Sequence, residues 1–187
     1  MMKKKTKFRE WFIVALHSED MRGLKLEELT RPMKVAGRRT PENLNEMTVG
    51  QMAELSKLKD GAQMFYQVCG VLLGLTPKQV DGARATEVVR FVGWVLGQIK
   101  WINGLFDKAK LVPTKQERQA GIERLNFGVF GMVDWYAKRM GIADHDEVMK
   151  VSWMRLYKCL EMDNKITMFN RKLTKVYESE NKSKHRG

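Results

Sequence analysis

The residues best equipped for chemistry are three histidines and two cysteines, and their spacing gives them little to work with. His17, His145 and His185 lie in unrelated contexts, and no His-x3-His or Cys-x2-Cys pair occurs, so the ligand spacing that holds zinc or a similar ion is missing. His145 sits within Asp144-His-Asp-Glu147, where the acids already read as a helix start: a capping carboxylate with a glutamate three residues on. Cys159 and a distant histidine would make a nucleophilic pair, but Tyr157, Leu160 and Met162 around it predict burial, which raises a thiol's pKa and quiets it. Cys69, in Val68-Cys-Gly-Val-Leu, reads as a small core side chain, and both thiols fit a reducing cytoplasm. No Gly-x-Gly-x-x-Gly, no Gly-Lys-Ser/Thr loop for phosphates and no Gly-x-Ser-x-Gly elbow is present. The expectation is a protein that is not an enzyme, with no catalytic residue, no metal site and no cofactor.

Two other stretches carry the chemistry of docking. Leu44-Asn-Glu-Met-Thr-Val-Gly-Gln-Met-Ala-Glu-Leu55 is a polar lead-in and a Thr-x-Gly-Gln turn opening a helix, and Leu125-Asn-Phe-Gly-Val-Phe-Gly-Met-Val-Asp-Trp135 repeats the idea about eighty residues later. Thirteen methionines and five tryptophans add adaptable and anchoring side chains. Core filling is the default for most of them. Met47, Met52 and Met64 beside the first stretch, and Met132, Trp135 and Met140 beside the second, are the ones placed to line a groove for a partner helix.

The elements that must position these stretches follow from periodicity and punctuation. Residues 3 to 18 mix lysine with Trp11, Phe12, Ile13, Val14 and Leu16, a short apolar run that suits an amphipathic helix or an edge strand equally. Gly23, Pro32, Gly37 and Pro41 punctuate an arm or hairpin, with a boundary near residue 42. Thr48 or Asn45 can cap a helix bearing Met52, Leu55 and Leu58, and Phe65, Val68, Leu72 and Leu75 mark a buried helix. Thr76-Pro77 starts a short helix that ends by Gly82. Thr86 to Phe106 is the clearest helix, with Val88, Val92, Val95, Ile99, Ile102 and Phe106 at spacings of four and three. Gly70-Val-Leu-Leu-Gly74 and Gly93-Trp-Val-Leu-Gly97 predict tight helix packing.

Lys110 to Ala120 reads as a surface connection or exposed helix start. A helix over Val129, Met132, Val133, Tyr136 and Met140 stops at Gly141. A capped helix then carries Met149, Trp153, Leu156 and Leu160, and a last one, near Lys165 to Glu178, carries Ile166, Phe169, Leu173 and Val176. The whole predicts an all-α fold: an irregular N-terminal arm over residues 1–42 with room for a short β-hairpin, a multi-helix domain over 43–178, and a disordered basic tail over 179–187.

A chain of 187 residues, 43% hydrophobic and 30% charged with four prolines, can bury a real core. Arg90 and Lys100 cut the longest apolar candidate for a membrane span, and charged residues interrupt the Trp11 to Leu16 run before it resembles a signal peptide. Neither a membrane role nor secretion is expected. The net charge of +12 raises weak affinity for nucleic acid through the basic ends, although solvated tails are the stronger reading of it.

The Leu44 to Leu55 stretch resembles the "leucine, polar residues, Thr-x-Gly-Gln, helix" opening of tail assembly chaperones of tailed bacteriophages and prophages. Val71-Leu-Leu-Gly-Leu-Thr-Pro-Lys-Gln-Val80 is similar to that family's apolar helix, turn and short helix. Phe127-Gly-Val-Phe-Gly-Met-Val-Asp-Trp-Tyr-Ala-Lys-Arg-Met-Gly141 and Asp146-Glu-Val-Met-Lys-Val-Ser-Trp153 resemble its helix ending in "Ala-basic, Gly" followed by a capped helix. Together these cover roughly residues 44 to 178. The resemblance implies a protein of the bacterial host cytoplasm that binds the long tape measure protein through hydrophobic grooves before the tail tube forms. It points to Thr48, Gly50 and Gln51, and to Phe127, Gly128 and Trp135, as partner-binding residues, the alternative being that these glycines only shape helix starts. Two other functions stay open: a basic nucleic-acid-binding or packaging factor, and a structural tail or head-tail protein.

Overall fold

Two phenylalanines one turn apart begin the fold. In the computed structural model, which describes residues 6–16, 29–58 and 61–184, helix α1 (Phe8–Leu16) buries Phe8 and Phe12. The first apolar run is therefore a helix and not an edge strand. Phe8 sits within 6 Å of Trp11, Phe12, Phe65 and Tyr66, ring centre to ring centre, and truncating such a ring costs about 3–5 kcal/mol.

The arm holds a hairpin as expected. Strands β1 (Lys34–Val35) and β2 (Arg38–Arg39) pair antiparallel, Val35 against Arg38. Ala36 and Gly37 connect them with φ of 47° and 80°, the two left-handed residues that a two-residue hairpin turn demands. Thr40 is buried and donates its hydroxyl to the Pro32 carbonyl, while Arg31 Nη1 donates to the carbonyls of Thr40 and Pro41. Arg90 Nε in turn donates to the Thr30 carbonyl at 3.1 Å.

Helices α2 (Val49–Leu55), α3 (Ala62–Leu73), α4 (Pro77–Gly82) and α5 (Ala85–Ala109) follow. Thr48 and Thr76 each make a full capping box, with Gln51 and Gln79 respectively, worth about 1 kcal/mol per cap. Helix α2 and α4 pack on α3, and α1 packs on α4. Gly74 closes α3 in the left-handed conformation, its amide and that of Leu75 bonding back to Gly70 and Cys69. That corrects one expectation: Gly70 and Gly74 serve a helix end, since a Cβ on Gly70 would meet only the Leu75 carbonyl, at 3.6 Å.

The chain forms two compact units that divide between Gly104 and Leu105. The boundary expected near residue 42 falls inside the first unit. Physical ties explain this: Phe8 N–H donates to Ala83, Ala85 N–H donates to Thr6, and Arg90 holds Thr30.

In the second unit come α6 (Lys115–Gln119), a 3₁₀ turn (Ile122–Arg124), α7 (Gly128–Met140), α8 (His145–Met149) and α9 (Trp153–Lys184). Val133, Tyr136, Val148, Trp153 and Leu156 are buried, and Phe106 packs edge-on against Tyr157 at 5.3 Å. Three expectations change here. Asp144 caps α8 through the Asp146 amide, but Glu147 pairs with Lys150 at 2.6 Å instead of closing a capping box. The helix expected from Asp144 to Leu160 breaks after Met149, and its remainder from Trp153 is continuous with the last helix expected, because Asn164 turns its side chain to the Ala109 carbonyl at 2.6 Å and leaves the α9 backbone intact. Helix also extends to Lys184 past the tail boundary expected at 179, since no glycine or proline interrupts residues 142–186. With nine α-helices and one two-stranded hairpin among the described residues, the fold is all-α.

Candidate functional site

The first docking stretch is wired into the fold. Thr48 Oγ1 accepts from the Gln51 amide at 3.1 Å, and Gln51 Oε1 accepts from the Thr48 amide at 3.0 Å. Gln51 Nε2 donates to the Val71 carbonyl at 2.9 Å. That carbonyl lies in the last turn of α3, where the amide four residues on, of Leu75, is drawn to Cys69. Helix ends leave such carbonyls without partners, so one glutamine caps the start of α2 and the end of α3. Gln67 Nε2 returns the favour to the Glu54 carbonyl of α2 at 2.9 Å. Gly50 is half-buried, and Met47 is buried in the core, not on a groove.

The second stretch faces outward. Asn126 Oδ1 accepts from the Gly128 amide at 3.0 Å, and Gly128 adopts a φ of 54°, a turn that sets Phe127 at the head of α7. Phe127 is 69% exposed and Phe130 65% exposed. A Cβ on Gly131 would come within 2.5 Å of Phe127 Cβ, so the glycine is what lets the phenylalanine fold back over the first turn. Trp135 is half-buried, its ring centre 6.2 Å from that of Tyr136. Thr48, Gly50 and Gln51 thus belong to the first unit, and Phe127, Gly128 and Trp135 to the second.

A larger apolar surface lies on α9, where core packing is the ordinary reading of the side chains. Met162, Ile166, Phe169 and Val176 are all more than half or half exposed, Phe169 by 62%. The opposite side of the helix is anchored: Asn164 holds the end of α5, and Arg171 donates to the Val112 carbonyl at 2.9 Å and to Glu117 at 2.8 Å. Arg139 at the end of α7 grips both oxygens of Asp163. Beside Phe169 a groove of about 590 Å³ runs between α9 and residues 108–112, lined by Leu111, Val112, Met168, Lys108, Lys110 and Lys172 among others. The sequence signal for this surface is the spacing of the apolar residues, which continues beyond the last partner element.

Charge around these surfaces is ordered by ion pairs. Lys165 and Lys158 hold the Glu161 carboxyl below its usual range, and Lys138, with His145 3.6 Å away, does the same for Asp134. His145 also meets the edge of Phe130, 5.2 Å between ring centres. Cys69 is the deeply buried thiol, pushed up to about 12 by burial, whereas Cys159 is only half-buried. Among the described residues no group of His, Cys, Asp or Glu is placed to hold a metal ion, and no helix is long and apolar enough to cross a membrane. His17 and His185 lie outside the described residues. Compared with family models, curated proteins and solved structures, the chain matches none.

Proposed function

We propose that this protein is an assembly chaperone of phage or prophage tail morphogenesis, which binds helical segments of the tape measure protein in the host cytoplasm. The observation that carries the reading is the exposed apolar surface of the second unit: Phe127, Phe130, Met162, Ile166, Phe169 and Val176. Side chains of this size are ordinarily inside, and the exposure of several along one helix, as on α9, marks a binding surface. An amphipathic helix awaiting assembly exposes a matching stripe, which such a surface covers reversibly. The resemblance of residues 44–55 and 127–141 to tail chaperone segments supplies the biological setting.

The test is co-expression with the tape measure protein, one partner tagged. Co-purification and a larger soluble fraction of the long protein are expected, together with absence of this chain from purified virions. Insoluble tape measure protein with or without this chain would end the reading, and stoichiometric presence in virions would favour a structural tail or head-tail protein. A nucleic-acid-binding reading draws on the hairpin, where Lys34, Arg38 and Arg39 are exposed together; it requires DNA affinity that falls steeply with salt.

A further inference from the structure

Four exposed apolar residues of α9, with half-buried Leu173 among them, keep a seven-residue rhythm, and exposed Met168 and Tyr177 lie off it. Met162, Ile166, Phe169, Leu173 and Val176 follow at four, three, four and three, and at 3.6 residues per turn they fall within an arc of about 80°. Asn164 and Arg171, which tie the helix to residues 109–117, point the other way. The stripe runs about 21 Å at 1.5 Å per residue. A stripe that narrow is a two-helix seam; a helix that lies in a lipid surface needs a broader apolar face.

Charge selects the occupant. Lys158, Lys165 and Lys172 each sit one turn before Met162, Phe169 and Val176, forming a row along one edge that stays net basic although Glu161 pairs with the first two, at 3.5 and 3.0 Å. The other edge is Asp163, Asn170 and Tyr177, and Arg139 already holds Asp163. A second copy laid antiparallel would set lysine row against lysine row; laid parallel, it would offer those lysines no uncommitted carboxylate. Helix α9 carries eight basic residues against four acidic ones, so two copies repel. The groove beside Phe169 adds Lys108 and Lys110 to the same edge.

We infer that the seam Met162–Ile166–Phe169–Leu173–Val176 docks an amphipathic helix of another polypeptide, one with a matching seven-residue apolar repeat and acidic residues along the edge that faces Lys158, Lys165 and Lys172. The inference rests on the helix-binding part of the reading above and names its surface and its partner's chemistry. Partner carboxylates meet Lys172 directly and share Lys158 and Lys165 with Glu161, and the partner's apolar residues fill the spaces between those of α9.

The probe is a labelled synthetic helix of three heptads with leucine at the two seam positions and glutamate at both flanking positions, titrated into the full-length protein by fluorescence anisotropy. A sibling peptide carries lysine in place of glutamate. The acidic peptide should bind at least tenfold more tightly than the basic one, and more weakly as salt rises. The double variant Ile166→Asp/Phe169→Asp should lose binding tenfold or more with its helical circular dichroism and unfolding midpoint retained. Lys165→Glu/Lys172→Glu should reverse the preference between the peptides, a result that simple unfolding cannot produce. Equal binding of both peptides, no binding of either, or full binding by the aspartate variant overturns the inference. So does a dimer in sedimentation equilibrium that the aspartate variant abolishes, or phosphatidylglycerol vesicles bound through this face in preference to the peptide. Tape measure protein retained by the aspartate variant overturns this inference and leaves the chaperone reading standing. Acidic-peptide binding by a protein that does not retain tape measure protein does the reverse.

Discussion

Replacing Gln51 by alanine separates a structural side chain from a docking one. Its amide accepts from Thr48 N–H at 3.0 Å and donates to the Val71 carbonyl at 2.9 Å. Each bond is worth about 1 kcal/mol net, and alanine's better helix propensity returns a few tenths, so Gln51→Ala should cost roughly 1.5–2 kcal/mol. For a chain of this size each kcal/mol lowers the melting midpoint by about 2–4 °C, which puts the expected drop at roughly 3–8 °C in a thermal scan followed by circular dichroism. Gln51→Glu keeps the acceptor for Thr48 but sets a carboxylate against the Val71 carbonyl, so it should be at least as damaging as alanine. Partner binding should survive both, because every polar atom of Gln51 is engaged within its own fold. An unchanged midpoint for Gln51→Ala, or lost partner binding at full stability, would refute the reasoning and return this residue to the docking surface.

Other expectations concern titration and packing. The Tyr66 phenol is pushed up to about 12 by burial and by donation to Asp81 at 2.7 Å; its contribution is whole below the ordinary phenol pKa of about 10 and is lost as pH rises towards 12, so Tyr66→Phe should flatten the loss of stability seen in urea titrations over that range. The Glu117 carboxyl is held down by the Thr114 amide and by Arg171, so the clasp of residues 110–117 on α9 is present above the usual glutamate range and opens as pH falls through the lowered value; hydrogen exchange of that segment should quicken in acid, and Glu117→Gln should remove the transition. Gly131→Ala should destabilise the second unit although alanine favours helix by about 1 kcal/mol, since the added carbon would lie 2.5 Å from Phe127 Cβ; a rise in melting midpoint would refute it. Cys69 should resist a thiol reagent at pH 8 until denaturant is added, because its thiol is buried with a pKa of about 12; rapid native labelling at this position would contradict that.

The helices were legible where one local rule decided them. Thr48, Thr76-Pro77 and Gly141 declare helix ends through their own side chains or lack of one, and the structure uses all three as such. The capping box of Asp144 was misread because Glu147 has a competing lysine three residues on, at Lys150. The split expected between Leu160 and Lys165 failed for a different reason: Asn164 satisfies a carbonyl 55 residues away, a partner no window of sequence contains. Of the candidate binding residues, Phe127 is exposed as a docking side chain must be, whereas the inward bonds of Gln51 depend on where α3 ends. The α9 seam was visible as spacing but not as surface, because periodicity tells which residues share a side and not whether anything covers it.

The ladder between Thr6 to Phe8 and Ala83 to Ala85 has a bearing on birth of the chain at the ribosome. Phe8, Trp11 and Phe12 emerge ahead of their partners, and the strand-like bridge of Lys7 with Arg84 that seats them waits for nearly eighty more residues. At about 5–20 residues per second those three rings stay wet for roughly 4–15 s. The rings of α1 thus need cover before their own partners exist, and the yield of the protein should respond to the supply of ribosome-associated holdases.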